Sequence, residues 1–282
     1  MFKSVHDRVW AFDAEWVPDP RTGSAVYDLP PSMDEAAVLE EMWRRGRGDG
    51  DENVPRPYLK TVLCRLVSIV AVIRSAVETE PPLQLYSLPR PGEGDAELDE
   101  GQILRRFLEG VGKHHPQLVG FNSRNADFAI LLQRALVHGI SAPGFARRPD
   151  KPWDGVDYFG PGDWHIDLME ILGARSRQSR PSLHEIATAC GIPGKFDSGG
   201  GDVADLWSNG QIDQIVRYNE FDALTTYLVW LRLAHFGGFF SSDEYEREQA
   251  LLEEFLKREG TKAAHREHLL TYLSEWQRVR ER

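Results

Sequence analysis

Acidic residues in three separated segments have the types and spacing that a divalent-cation site needs. Asp13 and Glu15 are two residues apart in RVWAFDAE, an apolar run that predicts a strand, so both side chains point to the same face. Two buried acids on one face are unfavourable without a counter-charge, and a divalent cation would supply it. For this segment alone, a strand end that reaches solvent is an equally good explanation.

Two further acids lie on predicted helices. Asp127 opens an apolar helix shortly after Asn122, which closes a short strand. Taken singly, Asp127 is more typical of an acid favoured by the helix dipole. Tyr218 and Asp222 are four residues apart in a helical stretch, so they share one face, as an ordinary surface pair also would. The three segments together favour one shared site.

The elements that must position these residues begin with strands and end with helices. Apolar and β-branched runs predict strands at 8–15, 63–74, 83–88 and 117–122. Periodicity predicts helices at 33–45, 96–113, 126–140, 165–172, 182–192, 202–208 and 210–236, and a helical tail from 243 that breaks near Gly260. The remainder of 17–61 and residues 141–163 are predicted to be loops. This order predicts a mixed α/β domain with a helical C-terminal extension.

Composition limits the kinds of partner. The 282 residues are 41% hydrophobic, enough for a sizeable core, and carry a formal net charge of −11. The negative charge argues against a general attraction to phosphate, but not against an enzyme whose carboxylates load a cation. Nucleic-acid contacts would then come from local basic patches, although solvated loops explain each patch equally well. The candidate patches are Arg44, Arg45 and Arg47, then Arg147, Arg148 and Lys151, then Arg175, Arg177 and Arg180.

Cysteine usage and hydropathy predict a cytoplasmic protein. Cys64 and Cys190 lie in apolar or helical patterns and are expected to be buried free thiols, which suits a reducing compartment. The N-terminal segment has no apolar stretch typical of a secretory signal. The longest apolar run, at about 66–73, is too short to span a membrane.

In their order and local spacing, the three segments resemble the exonuclease motifs of the DEDD superfamily within the ribonuclease H-like fold. Motif one is Asp-x-Glu, motif two resembles the form found in family B polymerases, and motif three is Tyr-x-x-x-Asp. The matching residues are Asp13 and Glu15, then Asn122 and Asp127, then Tyr218 and Asp222. Arg217 stands where a second subclass has histidine, so the chain resembles the DEDDy type.

The resemblance covers roughly residues 8–235 and includes the connecting segments HIDLMEIL, SLHEIATACGIPGK and 202–206. Within that superfamily the chain most resembles the stand-alone predicted 3′→5′ exonucleases related to the polymerase B proofreading domain. It implies a ribonuclease H-like mixed β-sheet flanked by helices over 1–238, with a probable insertion at 17–61, and a helical extension over 239–282. Trp16 departs from the threonine that is frequent in family B, which bears on substrate choice more than on chemistry.

The resemblance also implies a two-metal hydrolysis with Mg²⁺ or Mn²⁺. Asp13 would bridge both cations, and Glu15 and Asp222 would hold the one that binds the attacking water. Asp127 would act on the second cation through outer-shell waters. Tyr218 would orient the attacking water, because a tyrosine hydroxyl with an ordinary pKa of about 10 is a poor base at neutral pH.

Three residues are candidates for binding substrate. Asn122 would contact the terminal nucleotide, and Trp16 or Phe121 would stack on a base. The alternative for both aromatics is core packing, which we favour for Phe121. His184 is expected to be a polar helix-face histidine rather than a ligand. Asp167 is expected to be either a helix N-cap or a supporting acid near the site.

The leading expectation is a metal-dependent 3′→5′ exonuclease acting on the 3′ end of single-stranded nucleic acid, DNA more than RNA. One alternative is a catalytically silent ribonuclease H-like adaptor for nucleic acid or protein, although none of the expected metal ligands is missing. Another is a phosphoesterase acting on small nucleotides. The C-terminal helices are expected to pack on the domain as a hairpin, and the alternative is a contact with a second copy or a protein partner.

Overall fold

A five-stranded mixed sheet forms the centre of the protein. The computed structural model describes residues 1–47, 56–91, 99–151, 153–174, 176–196 and 203–281. The strands are β1 (Arg8–Pro18), β2 (Cys64–Ser75), β3 (Leu83–Leu88), β4 (Gln117–Gly120) and β5 (His165–Asp167), in the spatial order β3-β2-β1-β4-β5. Strands β1, β2 and β3 are antiparallel neighbours, whereas β4 is parallel to β1 and β5 is parallel to β4. The ribonuclease H-like α/β fold is confirmed.

Helices cover both faces of this sheet. Their bounds are α1 (Pro20–Tyr27), α2 (Glu35–Arg47), α3 (Glu100–His114), α4 (Asp127–Val137), α5 (Pro143–Ala146), α6 (Leu168–Leu172), α7 (Leu183–Ala189), α8 (Val203–Ser208), α9 (Ile212–Phe236), α10 (Ser242–Lys262) and α11 (His268–Arg280). No helix among these described residues is long and apolar enough to cross a membrane.

The alternation of side chains along β1 divides the core into two layers. Trp10, Phe12 and Ala14 are buried together with apolar residues of α3 and α4. Val9 and Ala11 point the other way, into the layer that contains most of α9. Because a strand has a two-residue repeat, Asp13 and Glu15 continue the row that faces α9.

The two C-terminal helices share this second layer. Leu252 and Phe255 of α10 and Leu269 and Trp276 of α11 are buried in the same cluster as α9. Helix α9 is therefore covered on nearly all sides, which explains why so much of its 25-residue length is apolar. This matches the expected hairpin packed on the domain. A homodimer or partner contact through these helices stays a prediction, as do the boundary at 238 and the insertion at 17–61.

Several expected elements are wrong in detail. His165–Asp167 forms β5 instead of the first turn of a helix, and α6 begins only at Leu168. Helix α1 occupies part of the predicted loop, beginning at Pro20 after Asp19, whose side chain accepts a hydrogen bond from the Arg21 amide at 3.2 Å. The short helix α5 interrupts the loop at 141–163. The predicted helix starts at 96 and 202 lie outside the described residues.

Smaller differences concern the C-terminal break and the thiols. Helix α10 runs through Gly260 and ends at Lys262. Both cysteines are free, and Cys64 is buried as expected, but Cys190 is only half-buried. The prediction of a buried thiol is therefore wrong for Cys190, which lies at the C-cap of α7.

Candidate active site

Three carboxylates from distant parts of the chain meet at the end of β1. Asp13, Glu15 and Asp222 each offer one oxygen, and these three atoms all lie within 4.8 Å of one another. Strand alternation directs the first two towards α9, and α9 packs against β1 and β2 so that Asp222 reaches them. The two-residue spacing of Asp13 and Glu15 on β1 and the position of Asp222 on the facing helix α9 together create the cluster.

Asp127 joins the site from another direction. Strand β4 pairs with β1 only from Val9 to Ala11, so the edge of β1 has no strand partner on this side at Ala14. Asp127, the first residue of α4, fills this place, and its Oδ1 accepts a buried hydrogen bond from the Ala14 amide at 3.0 Å. Its carboxylate is not a member of the group of three.

The electrostatics of Asp13 show how close these acids are. Burial raises the pKa of Asp13 well above its ordinary value, and the negative charges of Asp127, Asp222 and Glu15 raise it further, in that order. Each of these effects disfavours ionisation. A group of acids in this state is stabilised by a cation that is shared among them.

The other two shifted acids follow the same pattern. Burial raises the pKa of Asp127 to about 7 against two opposing backbone hydrogen bonds, and the charges of Asp167 and Asp222 add to the shift. Burial raises the pKa of Asp222 to about 6, while the positive charge of Lys195 acts in the opposite direction. Hard oxygen donors that repel one another at this distance suit Mg²⁺ or Mn²⁺.

Asp167 supports the site without belonging to the group of three. It is the N-cap of α6, as one of the two expectations proposed, and its Oδ1 accepts from the Glu170 amide at 3.2 Å. The same carboxylate accepts from the amides of Asn122 at 3.0 Å and Arg124 at 2.9 Å. It thereby fixes the turn that leads from β4 to Asp127.

That turn gives Asn122 an unusual conformation. Its φ is 60°, in the left-handed region that asparagine tolerates better than most residues. Its side-chain oxygen accepts a hydrogen bond from the amide group of Asn125 at 3.2 Å. The proposed contact of Asn122 with a terminal nucleotide stays a prediction.

The aromatic candidates occupy different surroundings. Tyr218 lies one turn before Asp222 on α9 and packs, half-buried, against a small apolar cluster formed by Val17, Val67, Leu206 and Ile215. Trp16 is half-buried and lines a cleft together with Glu15. Phe121 packs against the α9 side of the core, which agrees with the structural alternative that we favour for it.

Sequence reasoning missed two residues near the site. The positive charge of Lys195 opposes the rise in the pKa of Asp222. Tyr58 is close enough to Asp127 for the negative charge of that residue to raise the pKa of the tyrosine. Both lie outside regular elements, so no periodic pattern marks them. His184 helps to position the first of them, because its Nδ1 accepts from the Lys195 amide at 2.9 Å. This contact fits a structural role for His184.

The predicted basic patches are partly neutralised. Arg44 and Arg45 both form ion pairs with Glu41 at 2.6 Å. Arg148 pairs with Asp157 at 2.9 Å. Arg175, named with the third patch, lies outside the described residues.

Comparison with known proteins identifies the family. A family model described as a predicted 3′-5′ exonuclease related to the exonuclease domain of PolB matches residues 56–276. The match includes the segments of Asp127 and Asp222 and extends through most of α11, but it begins after Asp13 and Glu15. A search of curated proteins finds no match.

Among solved structures, the chain is similar to the family B DNA polymerase from the hyperthermophilic archaeon Pyrobaculum calidifontis. The identity is 17% and the TM-score 0.45, over 80% of this chain and 25% of that polymerase. The chain thus spans about a quarter of the polymerase it matches. On the evidence of the family model, this chain belongs to the predicted 3′-5′ exonucleases related to the exonuclease domain of PolB.

Proposed function

We propose that the protein is a metal-dependent 3′→5′ exonuclease that hydrolyses phosphodiester bonds at the 3′ end of single-stranded nucleic acid, with DNA preferred over RNA. The observation that carries this proposal is the group of three carboxylates, Asp13, Glu15 and Asp222, whose oxygens lie within 4.8 Å of one another. Family membership supports the reaction class.

The donor set fits hard divalent cations. The three carboxylates would hold one Mg²⁺ or Mn²⁺, and Asp13 would also contact a second ion, on which Asp127 would act through outer-shell water. When bound, such cations supply a nucleophile at neutral pH and offset the charge that develops on the leaving oxygen. The raised pKa values of Asp13, Asp127 and Asp222 support this assignment, because a cation relieves the repulsion that causes them.

The remaining side chains would position substrate and water. The hydroxyl of Tyr218, one turn from Asp222, would donate or accept a hydrogen bond that orients the attacking water. Lys195, whose positive charge acts on Asp222, would contribute positive charge beside the substrate phosphate. Asn122 would contact the terminal nucleotide.

The test is the incubation of a 5′-labelled single-stranded oligonucleotide with the protein and Mn²⁺, on DNA and RNA in parallel. We expect a ladder of products shortened from the 3′ end. Asp13→Asn and Asp222→Asn should each reduce the rate at least about 100-fold, with unchanged circular dichroism. Asp213→Asn, an exposed acid in the first turn of the same helix α9, is the matched control and should keep full activity.

Other outcomes distinguish the alternatives. An intact oligonucleotide that nevertheless binds would favour the adaptor. Hydrolysis restricted to mononucleotide or dinucleotide substrates would favour the small-nucleotide phosphoesterase. Full activity of both Asn variants would refute the assignment of Asp13 and Asp222 as ligands.

A further inference from the structure

A cleft of ≈ 370 Å³ opens beside the acid cluster, at the end of β1. Its aromatic walls are Trp16 of β1, Trp43 of α2 and Tyr58, and Glu15 is exposed to the same space. Two of these three rings come from residues 17–61, the segment expected to be an insertion. The volume lies within the range of about 300–1,000 Å³ in which proteins bind small ligands or parts of larger ones.

The charge of the cleft does not suit a phosphate group. Among the described residues that line it, Arg56 carries the single positive charge, and this charge is paired with Asp205 at 2.6 Å. The Arg56 guanidinium also lies 4.8 Å from the centroid of the Trp43 ring. With the Glu15 carboxylate nearby and a net charge of −11 on the chain, an anionic occupant would be repelled.

The rings suit a flat, uncharged occupant. Tyr58 is 73% exposed, so its ring is open to contact from solvent. Every nucleobase, whatever the sequence, has a flat π-face that can stack on such rings. Each stacked base improves affinity by roughly 5- to 150-fold. Stacking would therefore supply the substrate affinity that the acidic surface does not.

The position of the cleft identifies the base that would enter it. Glu15 belongs both to the cleft and to the group of three acids. The pKa of Tyr58 is raised by desolvation, then by Cys64 and Asp127, so the charge of Asp127 acts on this ring. An occupant of the cleft therefore lies next to the bond that the acids would cleave.

We infer that Trp16, Trp43 and Tyr58 form a stacking site for the nucleobase that adjoins the scissile phosphate. This inference rests on the proposed function and deepens it. It assigns to Trp43 and Tyr58, two residues of the segment expected to be an insertion, the role of a base-binding wall.

Fluorescence tests the site without turnover. A DNA oligonucleotide with 2-aminopurine at its 3′ end is titrated with protein carrying Asp13→Asn, which is the common background of all arms. We expect the fluorescence to be quenched on binding. Tyr58→Ala should weaken binding about tenfold or more and reduce the quenching, whereas Tyr58→Phe should retain both.

Three controls make the comparison specific. Phe236→Ala removes another large exposed ring, 78% exposed and at the C-terminal end of α9, and should bind as the background protein does. An oligonucleotide with an abasic 3′-terminal nucleotide should bind Tyr58→Ala and the background protein equally. An abasic position five nucleotides upstream should leave the effect of Tyr58→Ala intact.

The outcomes separate this inference from the proposed function. Strand shortening by the unmodified protein, with unchanged affinity and quenching in Tyr58→Ala, overturns the stacking site and leaves the exonuclease standing. Tyr58-dependent binding of the terminal base without strand shortening supports the stacking site and overturns the exonuclease.

Discussion

The amide of Ala14 and the carboxylate of Asp127 form a buried hydrogen bond of 3.0 Å between the centre of the sheet and the first residue of α4. The bond completes the edge of β1 where β4 has ended, and it brings a negative charge to the neighbourhood of Asp13. One side chain therefore serves both the fold and the proposed chemistry, and substitution should separate the two.

Asp127→Asn keeps an acceptor oxygen for Ala14 and removes the charge. We expect activity to fall about 10- to 100-fold, as for other residues that act on a metal through an outer shell, without loss of stability in metal-free protein. Asp127→Ala also leaves the buried amide unpaired, which should lower the free energy of unfolding by about 1–3 kcal/mol. Urea unfolding and the oligonucleotide assay measure the two effects, and equal destabilisation by both variants would contradict this division.

The pH dependence of metal binding follows from the raised pKa values. In the folded, metal-free protein the pKa of Asp127 is about 7 and that of Asp222 about 6, both above their ordinary value. Between about pH 4 and pH 7 these two groups hold more protons in the folded state than in the unfolded chain, so their contribution to stability falls as pH rises. Cations compete with these protons, because they bind the ionised carboxylates.

We therefore expect Mn²⁺ to raise the Tm more at about pH 8 than at about pH 5.5. Differential scanning fluorimetry with and without the metal measures the increment at each pH, which cancels the contribution of other titrating groups. The Asp222→Asn protein is the control, since its increment should be small at both values. An increment that is larger at the acidic pH would refute the metal assignment.

Tyr218→Phe tests the role of the hydroxyl. The residue packs against the apolar cluster that contains Val17 and Ile215, and phenylalanine preserves that packing, so the free energy of unfolding should change by less than about 1.5 kcal/mol. We expect kcat to fall about 10- to 100-fold with little change in KM. Tyr245→Phe, on α10, is the control. It removes a hydroxyl that accepts a hydrogen bond from Arg232 at 2.7 Å, and it should leave kcat unchanged. Equal kcat in both variants would mean that Tyr218 has only a packing role.

The contact between Glu220 and His268 predicts how strongly the C-terminal helices hold α9. Glu220 is fully buried, hydrogen-bonds to His268 of α11 and accepts from the Ser87 hydroxyl at 2.5 Å. His268→Ala leaves this carboxylate short of a partner and should lower the free energy of unfolding by about 3–5 kcal/mol.

An ion pair on the surface of α11 provides the comparison. Arg278 and Glu275 form an ion pair with side chains that are 50% and 30% exposed, and Arg278→Ala should change stability by about 0–1 kcal/mol. Chemical denaturation of both variants provides the measurement. Similar losses in the two would show that the buried contact does not secure α11 against α9.

Local periodicity accounts for the parts of the site that the sequence predicts. The two-residue step from Asp13 to Glu15 and the four-residue step from Tyr218 to Asp222 define faces before any fold is known. The β-branched run of β2 likewise predicts a strand, because it is long and uninterrupted. The ligand assignments themselves stay predictions.

Features that depend on pairing in space have no such signal. Strand β5 is three residues long and continues directly into α6, so its apolar run resembles a helix. The contact of Asp127 with Ala14 depends on where β4 stops, and the approach of Lys195 and Tyr58 depends on loops. Periodic patterns do not encode such distances.

The contribution of α9 to the acid cluster determines when catalysis could begin in the life of the molecule. Asp13 is synthesised well before Asp222, because a long stretch of chain separates the two residues. A nascent protein that has formed only the sheet holds Asp13 and Glu15 without Asp222, and two carboxylates bind a divalent cation less tightly than three. In the proposed chemistry, nuclease activity therefore appears only after α9 has docked, so a chain that has not finished folding does not cut the nucleic acids around it.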